Sequence, residues 1–229
     1  MAGRVGGAGG GRRRQGITAA GRGPRGVPLR LTDVTGDDAN PADWLRAATA
    51  GVVAQELEGI YARCAEAIAA RGPACWASGR CCNFEAAGHL LYVTGLEAAY
   101  TVARLDAAAW MGGPAKAETT EITIGGGARG QRGGAVEVVG ASPAAAGKVL
   151  AAIGSGCVFQ KANLCGAHTI KPLGCRIYFC DRSAQDWQQD VHEMLITDLR
   201  RLHERHGIAY RYGEWRSMLR QVLTHVAAG

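Results

Sequence analysis

Seven of the chain's eight cysteines fall in two short stretches, Cys75–Cys82 and Cys157–Cys180, and neither stretch carries the apolar period of a helix or a strand. The first reads Cys75-Trp-Ala-Ser78-Gly-Arg-Cys81-Cys82. In the second, Cys157, Cys165, Cys175 and Cys180 are separated by seven, nine and four residues. Glycine-bearing loops of this kind bury little surface of their own, so a fold that contains them needs something else to fix them. Sulfur ligands gathered on a cation do that, because metal binding converts directly into folding free energy. The eighth cysteine, Cys64, sits on the apolar stripe of a helix and reads as a small buried hydrophobe.

Nothing in the first thirty residues has the apolar run of a signal peptide, and no stretch of about eighteen apolar residues is available to cross a bilayer. The expected setting is therefore cytoplasmic, with no membrane partner. Thiols stay reduced there, so eight cysteines point to metal or redox chemistry rather than a disulfide framework. Thiolate suits zinc, copper(I) and iron-sulfur clusters far better than magnesium or calcium. From Val138 to Cys180 the chain has no Asp or Glu but carries Lys148, Lys161, Lys171 and Arg176, and Arg80 precedes Cys81. Positive charge lowers a thiol pKa and offsets the negative charge of a thiolate-bound centre. Cys75, Cys81, Cys82, Cys157, Cys165, Cys175 and Cys180 are thus the candidate ligands. A cubane cluster of the 4Fe-4S type or a single tetrahedral zinc needs four of them; two closed zinc sites need eight ligands, the seven cysteines with His168. Neighbouring side chains in an extended segment point to opposite faces, so Cys81 and Cys82 serve one metal only if the backbone turns between them.

The rest of the chain predicts a mainly α fold with a small β-hairpin insertion. Asn40 caps, and Pro41 and Asp43 open, a helix expected to run to about Arg71, with Trp44, Ala48, Val52, Leu57, Ile60, Cys64 and Ile68 along one face. Thr94 and Glu97 have capping-box spacing for a helix over about 95–111. Residues 112–147 form a glycine-rich insertion in which 121–124 and 135–139 are β-prone and read as a hairpin. A short helix is expected over 144–153, a longer one from Asp181 or Ser183 to Gly207, and a last one over about 214–226.

The net charge of +6 belongs to one end of the chain. Residues 1–30 hold seven arginines and no acid, which leaves nineteen basic against twenty acidic residues elsewhere. Residues 1–37 are therefore expected to be a disordered Gly/Arg-rich tail able to bind nucleic acid weakly through phosphates, and 38–229 a single near-neutral domain. Several motif matches fail. Gly125, Gly127 and Gly130 match G-x-G-x-x-G, but a β-like run follows where the dinucleotide fingerprint needs a helix. His192-Glu193 begins a zincin motif that has Ile196 at its second histidine. His203 and His206, one turn apart before Gly207, read as ordinary groups near a helix C-terminus.

The cysteine pattern resembles the YkgJ-type cysteine-cluster family, named for a C-x2-C-x2-C-C signature and described as a zinc- or iron-chelating domain. Cys75, Cys81 and Cys82 fall on three of the four signature positions, and Ser78 stands on the second. Cys165-Gly-Ala-His168-Thr-Ile-Lys171-Pro172-Leu-Gly-Cys175-Arg176 is similar to the family's C-x2-[aromatic or His]-x2-[Lys/Arg]-Pro-x2-C-Arg run, and Cys157-Val-Phe159 to its upstream Cys-x-Phe. The resemblance spans residues 75–182 apart from the insertion. It implies a metal-binding domain in which an iron-sulfur cluster with a redox or electron-transfer role, working with an unidentified protein partner, is the leading reading. A zinc-binding structural or metal-handling role is the alternative, and the family's likeness to a lysine N-methylase is a third. The chain is short for such an enzyme, and no separate methyl-donor site is visible.

Overall fold

The computed structural model describes residues 40–105 and 140–229. The expected tail and the β-prone hairpin of the insertion lie outside the described residues, whereas the helix begun at Gly95 ends at Ala103 with Arg104 as its C-cap, short of the expected residue 111.

Helix α1 (Pro41–Thr49) starts as its sequence dictates, with the Asn40 side chain accepting the Ala42 N–H at 2.9 Å and Pro41 in the first turn. It does not continue to Arg71. Ala50 takes an extended conformation, and a second helix, α2 (Gly51–Arg71), sets off from there and ends at Gly72 in the left-handed region. The buried face shifts by one residue at this break: Val52, expected on the stripe, is 57% exposed, and Val53 is buried in its place. The redirected α1 lays the buried Trp44 ring against Gly95, where any Cβ would overlap it, and the Trp44 indole donates to the carbonyl of Ala209 at 3.0 Å.

A short helix α3 (Phe84–Ala87) leads to strand β1 (Tyr92–Thr94) and helix α4 (Gly95–Ala103). The expected capping box is present: the Thr94 hydroxyl accepts the Glu97 N–H at 3.2 Å, and the Glu97 carboxylate accepts the Thr94 N–H at 2.9 Å. Beyond residue 139, α5 (Pro143–Ala151) begins at Ser142, whose hydroxyl caps it. Then come a two-stranded hairpin of β2 (Gln160–Lys161) and β3 (Leu164–Cys165) and helix α6 (Leu173–Ile177). A 3-10 turn over Arg182–Ala184, capped by Asp181, precedes α7 (Gln185–Arg205). Strand β4 (Tyr212–Glu214) pairs antiparallel with β1, with Tyr92 opposite Glu214 and Thr94 opposite Tyr212, and α8 (Trp215–Ala228) closes the chain.

The described residues are thus mainly helical, with two small antiparallel strand pairs. One core joins Trp44, Leu57, Leu96, Leu173, Leu195, Leu199, Trp215 and Leu219, with α1 packed on α4, α5 on α8 and α2 on α7. Cys64 is fully buried in that core, in keeping with its place on the helical stripe. No helix among the described residues is long and apolar enough to cross a membrane.

Candidate metal centre

The first cysteine loop is shaped by Gly79, whose φ of +70° is open to glycine at little steric cost. The chain turns back there: the N–H groups of Cys82 and Asn83 both donate to the Gly79 carbonyl, at 3.1 and 3.2 Å. The turn brings the sulfurs of the adjacent Cys81 and Cys82 to 3.9 Å from each other, which an extended backbone forbids. The second cysteine group is tied to the first through the main chain. The Cys157 N–H donates to the Cys82 carbonyl at 2.7 Å, and the Gln160 side chain donates to the Gly79 carbonyl at 3.0 Å. Ala162 and Asn163, at φ of 45° and 67°, then turn β2 into β3 and carry Cys165 back alongside.

Cys175 arrives on α6. The buried Glu97 of α4 accepts the Leu173 N–H at 2.7 Å as well as its capping bond from Thr94, and the Tyr61 hydroxyl donates to it at 3.3 Å. Burial pushes the Glu97 carboxyl up, while these donors hold it down. A core carboxylate therefore fixes the start of the helix that presents Cys175.

Five of the seven candidate cysteines, Cys81, Cys82, Cys157, Cys165 and Cys175, line one cavity of about 150 Å³. Its other walls are mostly apolar: Phe84, Leu91, Phe159 and Trp215 inside, with His89 stacked on Tyr178 at 5.1 Å and Lys171 also lining it. Cys82 is the hub. Its sulfur stands 3.9 Å from that of Cys81, and the neighbouring Cys157, Cys165 and Cys81, together with burial, drive its pKa up. Cys82 in turn favours the thiolates of its neighbours. It is the first cause that brings Cys81 and Cys165 each down to about 6, followed by Lys171 at Cys81 and by the Ala167 main-chain N–H and then Lys171 at Cys165. It also lowers Cys157, together with the Phe159 main-chain N–H. Arg176 adds to the effect at Cys165. Cys175, fully enclosed, is pushed well up by burial.

No family model matches the chain, and no curated protein or solved structure matches it either. The site must be read from its own chemistry.

Cys75 and Cys180 do not line the cavity. The Ala74 N–H donates to Asp181 at 3.2 Å and the Ser78 hydroxyl meets the Cys180 sulfur at 3.3 Å, so both cysteines belong to a neighbouring surface seam. His168, lowered by Lys171, is also outside the cavity lining. His203 is buried, facing the Ile208 carbonyl, and burial lowers it to about 4; His206 pairs with Glu56 at 3.0 Å.

Among the described residues, no three His, Cys, Asp or Glu side chains stand at the spacing that encloses a single ion. The donor set nonetheless fits a thiophilic centre. A thiol proton held among neighbouring sulfurs occupies the kind of place where a cation relieves the same repulsion. An apolar cavity of about 150 Å³ also accommodates a guest of roughly benzene size, more than a bare ion requires. Three buried side-chain polar atoms among the described residues lack a hydrogen-bond partner, on Arg176, His203 and Trp215, and of these the Trp215 indole N–H is on the cavity lining. Trp215, Phe84 and Leu91 are the parts that sequence reasoning missed, while Glu97 reads there only as a cap and Phe159 only within the Cys-x-Phe run. The first three read in sequence as ordinary core residues.

Proposed function

We propose that the chain is a metal-thiolate protein of the YkgJ-type cysteine-cluster kind, holding an iron-sulfur cluster of the 4Fe-4S type for electron transfer with a protein partner. The observation that carries this reading is the convergence of five cysteines from three separate segments on one mostly apolar cavity. Cys81, Cys82, Cys157 and Cys165 are the first choice of ligands, with Cys175 beside them on the same cavity. When bound, such a cluster supplies one-electron chemistry without proton or atom transfer. The residues of the chain do the rest. Lys171 and Arg176 offset the negative charge of four thiolates, and Phe84, Phe159 and Trp215 keep water from them.

One observation favours zinc instead. Bonds of about 2.3 Å to a tetrahedral zinc set sulfurs about 3.8 Å apart, close to the 3.9 Å between Cys81 and Cys82. Anaerobic purification of the full chain, with metal analysis and a visible spectrum, separates the two. Iron with inorganic sulfide and a broad visible absorbance that bleaches in air is the expected result. A colourless protein holding one zinc per chain replaces the cluster with a structural role, and a chain that takes up neither metal ends the proposal.

A further inference from the structure

A buried tryptophan N–H without an acceptor is uncommon, because the indole nitrogen donates only and its desolvation is costly if it stays unpaired. Trp215 is only 1% exposed, lines the sulfur cavity, and has no acceptor for its indole N–H. It is also firmly held. Its backbone N–H continues the β1 and β4 pairing by donating to the Leu91 carbonyl at 2.8 Å, and its ring packs against Phe159 at 6.1 Å between centroids. Cys157 is anchored independently through its bond to the Cys82 carbonyl. The indole and Cys157 line the same cavity as neighbours, and the indole N–H makes no bond to the thiol as placed.

We propose that Trp215 is a positioning residue of the centre, its indole N–H donating to the Cys157 sulfur once that sulfur is a metal-bound thiolate. This rests on the reading of the cavity as a metal site. A hydrogen bond to a ligand sulfur withdraws charge from it, which raises the reduction potential of an iron-sulfur centre and makes the bound thiolate a poorer nucleophile. Both effects are local to Cys157, whereas a loosened core would expose every sulfur in the cavity.

The test uses the full metal-loaded chain and its Trp215→Phe variant, treated with iodoacetamide and mapped cysteine by cysteine. Metal content is measured in parallel. The expected result is unchanged metal content, alkylation of Cys157 several-fold faster, and no change at Cys81, Cys82, Cys165 or Cys175. With an iron-sulfur centre, the variant's potential also moves to a more negative value. Unchanged alkylation at Cys157, or equal acceleration at all five cysteines, overturns the role of the indole. If Trp215→Phe fails to hold metal, Trp215→His, which restores a ring N–H, should recover it; failure of both also overturns the proposal, since packing then explains the residue. Absence of metal from the unsubstituted chain overturns the metal reading itself.

Discussion

The Cys82 sulfur stands 3.9 Å from that of Cys81 because Gly79 folds the adjacent pair back. Cys157 is held beside them by its backbone bond to the Cys82 carbonyl, with Cys165 on the same cavity. Replacing the hub therefore removes a ligand and leaves its three neighbours without their shared partner. Cys82→Ser, Cys81→Ser and Cys165→Ser should each lose most of the bound metal, read as metal per chain after gel filtration. Cys75→Ser, Cys180→Ser and Cys64→Ser should each retain it, since the first two lie on the surface seam and the third in the helical core. The cysteines were legible in sequence because their spacing departs from both helical and strand periods. Which of them meet was not, because the contacts that sort them are a main-chain hydrogen bond and a glycine turn. Trp215 was out of reach for the same reason: fifty residues beyond Cys165, it has the look of any apolar residue opening an amphipathic helix.

Helices with side-chain caps were readable at the scale of elements. Asn40, Thr94 and Asp181 mark such starts by a bond that local sequence alone can form. The break at Ala50 was not readable, because Trp44 packing on Gly95 decides it from about fifty residues away. The β2–β3 hairpin was missed for a different reason. Its turn residues are Ala162 and Asn163 rather than the Asn-Gly that signals such a turn, and alanine adopts a positive φ at a cost of about 1–2 kcal/mol. Ala162→Gly should relieve that cost while keeping Cys165 in place. Urea unfolding of the metal-free chain should show a gain of about 1 kcal/mol, less the extra entropy glycine gives the unfolded state. A loss of stability would mean that the turn is held differently.

At the scale of the molecule, the cavity is walled by several separate parts of the chain that also contribute to the one core. Cys81 and Cys82 precede β1, Cys157 and Cys165 frame the small hairpin, Cys175 rides on α6, and Trp215 opens α8. The loops bearing the cysteines have few buried side chains between residues 72 and 83, so thiolate bonds to one centre would supply most of what orders that segment. A ligand that binds only the folded chain adds stability in proportion to the logarithm of its free concentration over its dissociation constant, about 4 kcal/mol at a thousandfold excess. For a domain of this size that is a rise in Tm of roughly 10 °C. Stripping the metal under reducing conditions should lower Tm by about that amount, and reloading should restore it. Cys82→Ser should unfold at the lower temperature whether or not metal is supplied. That comparison separates a structural contribution of the centre from a general effect of the metal on the chain, because only the first depends on the hub cysteine.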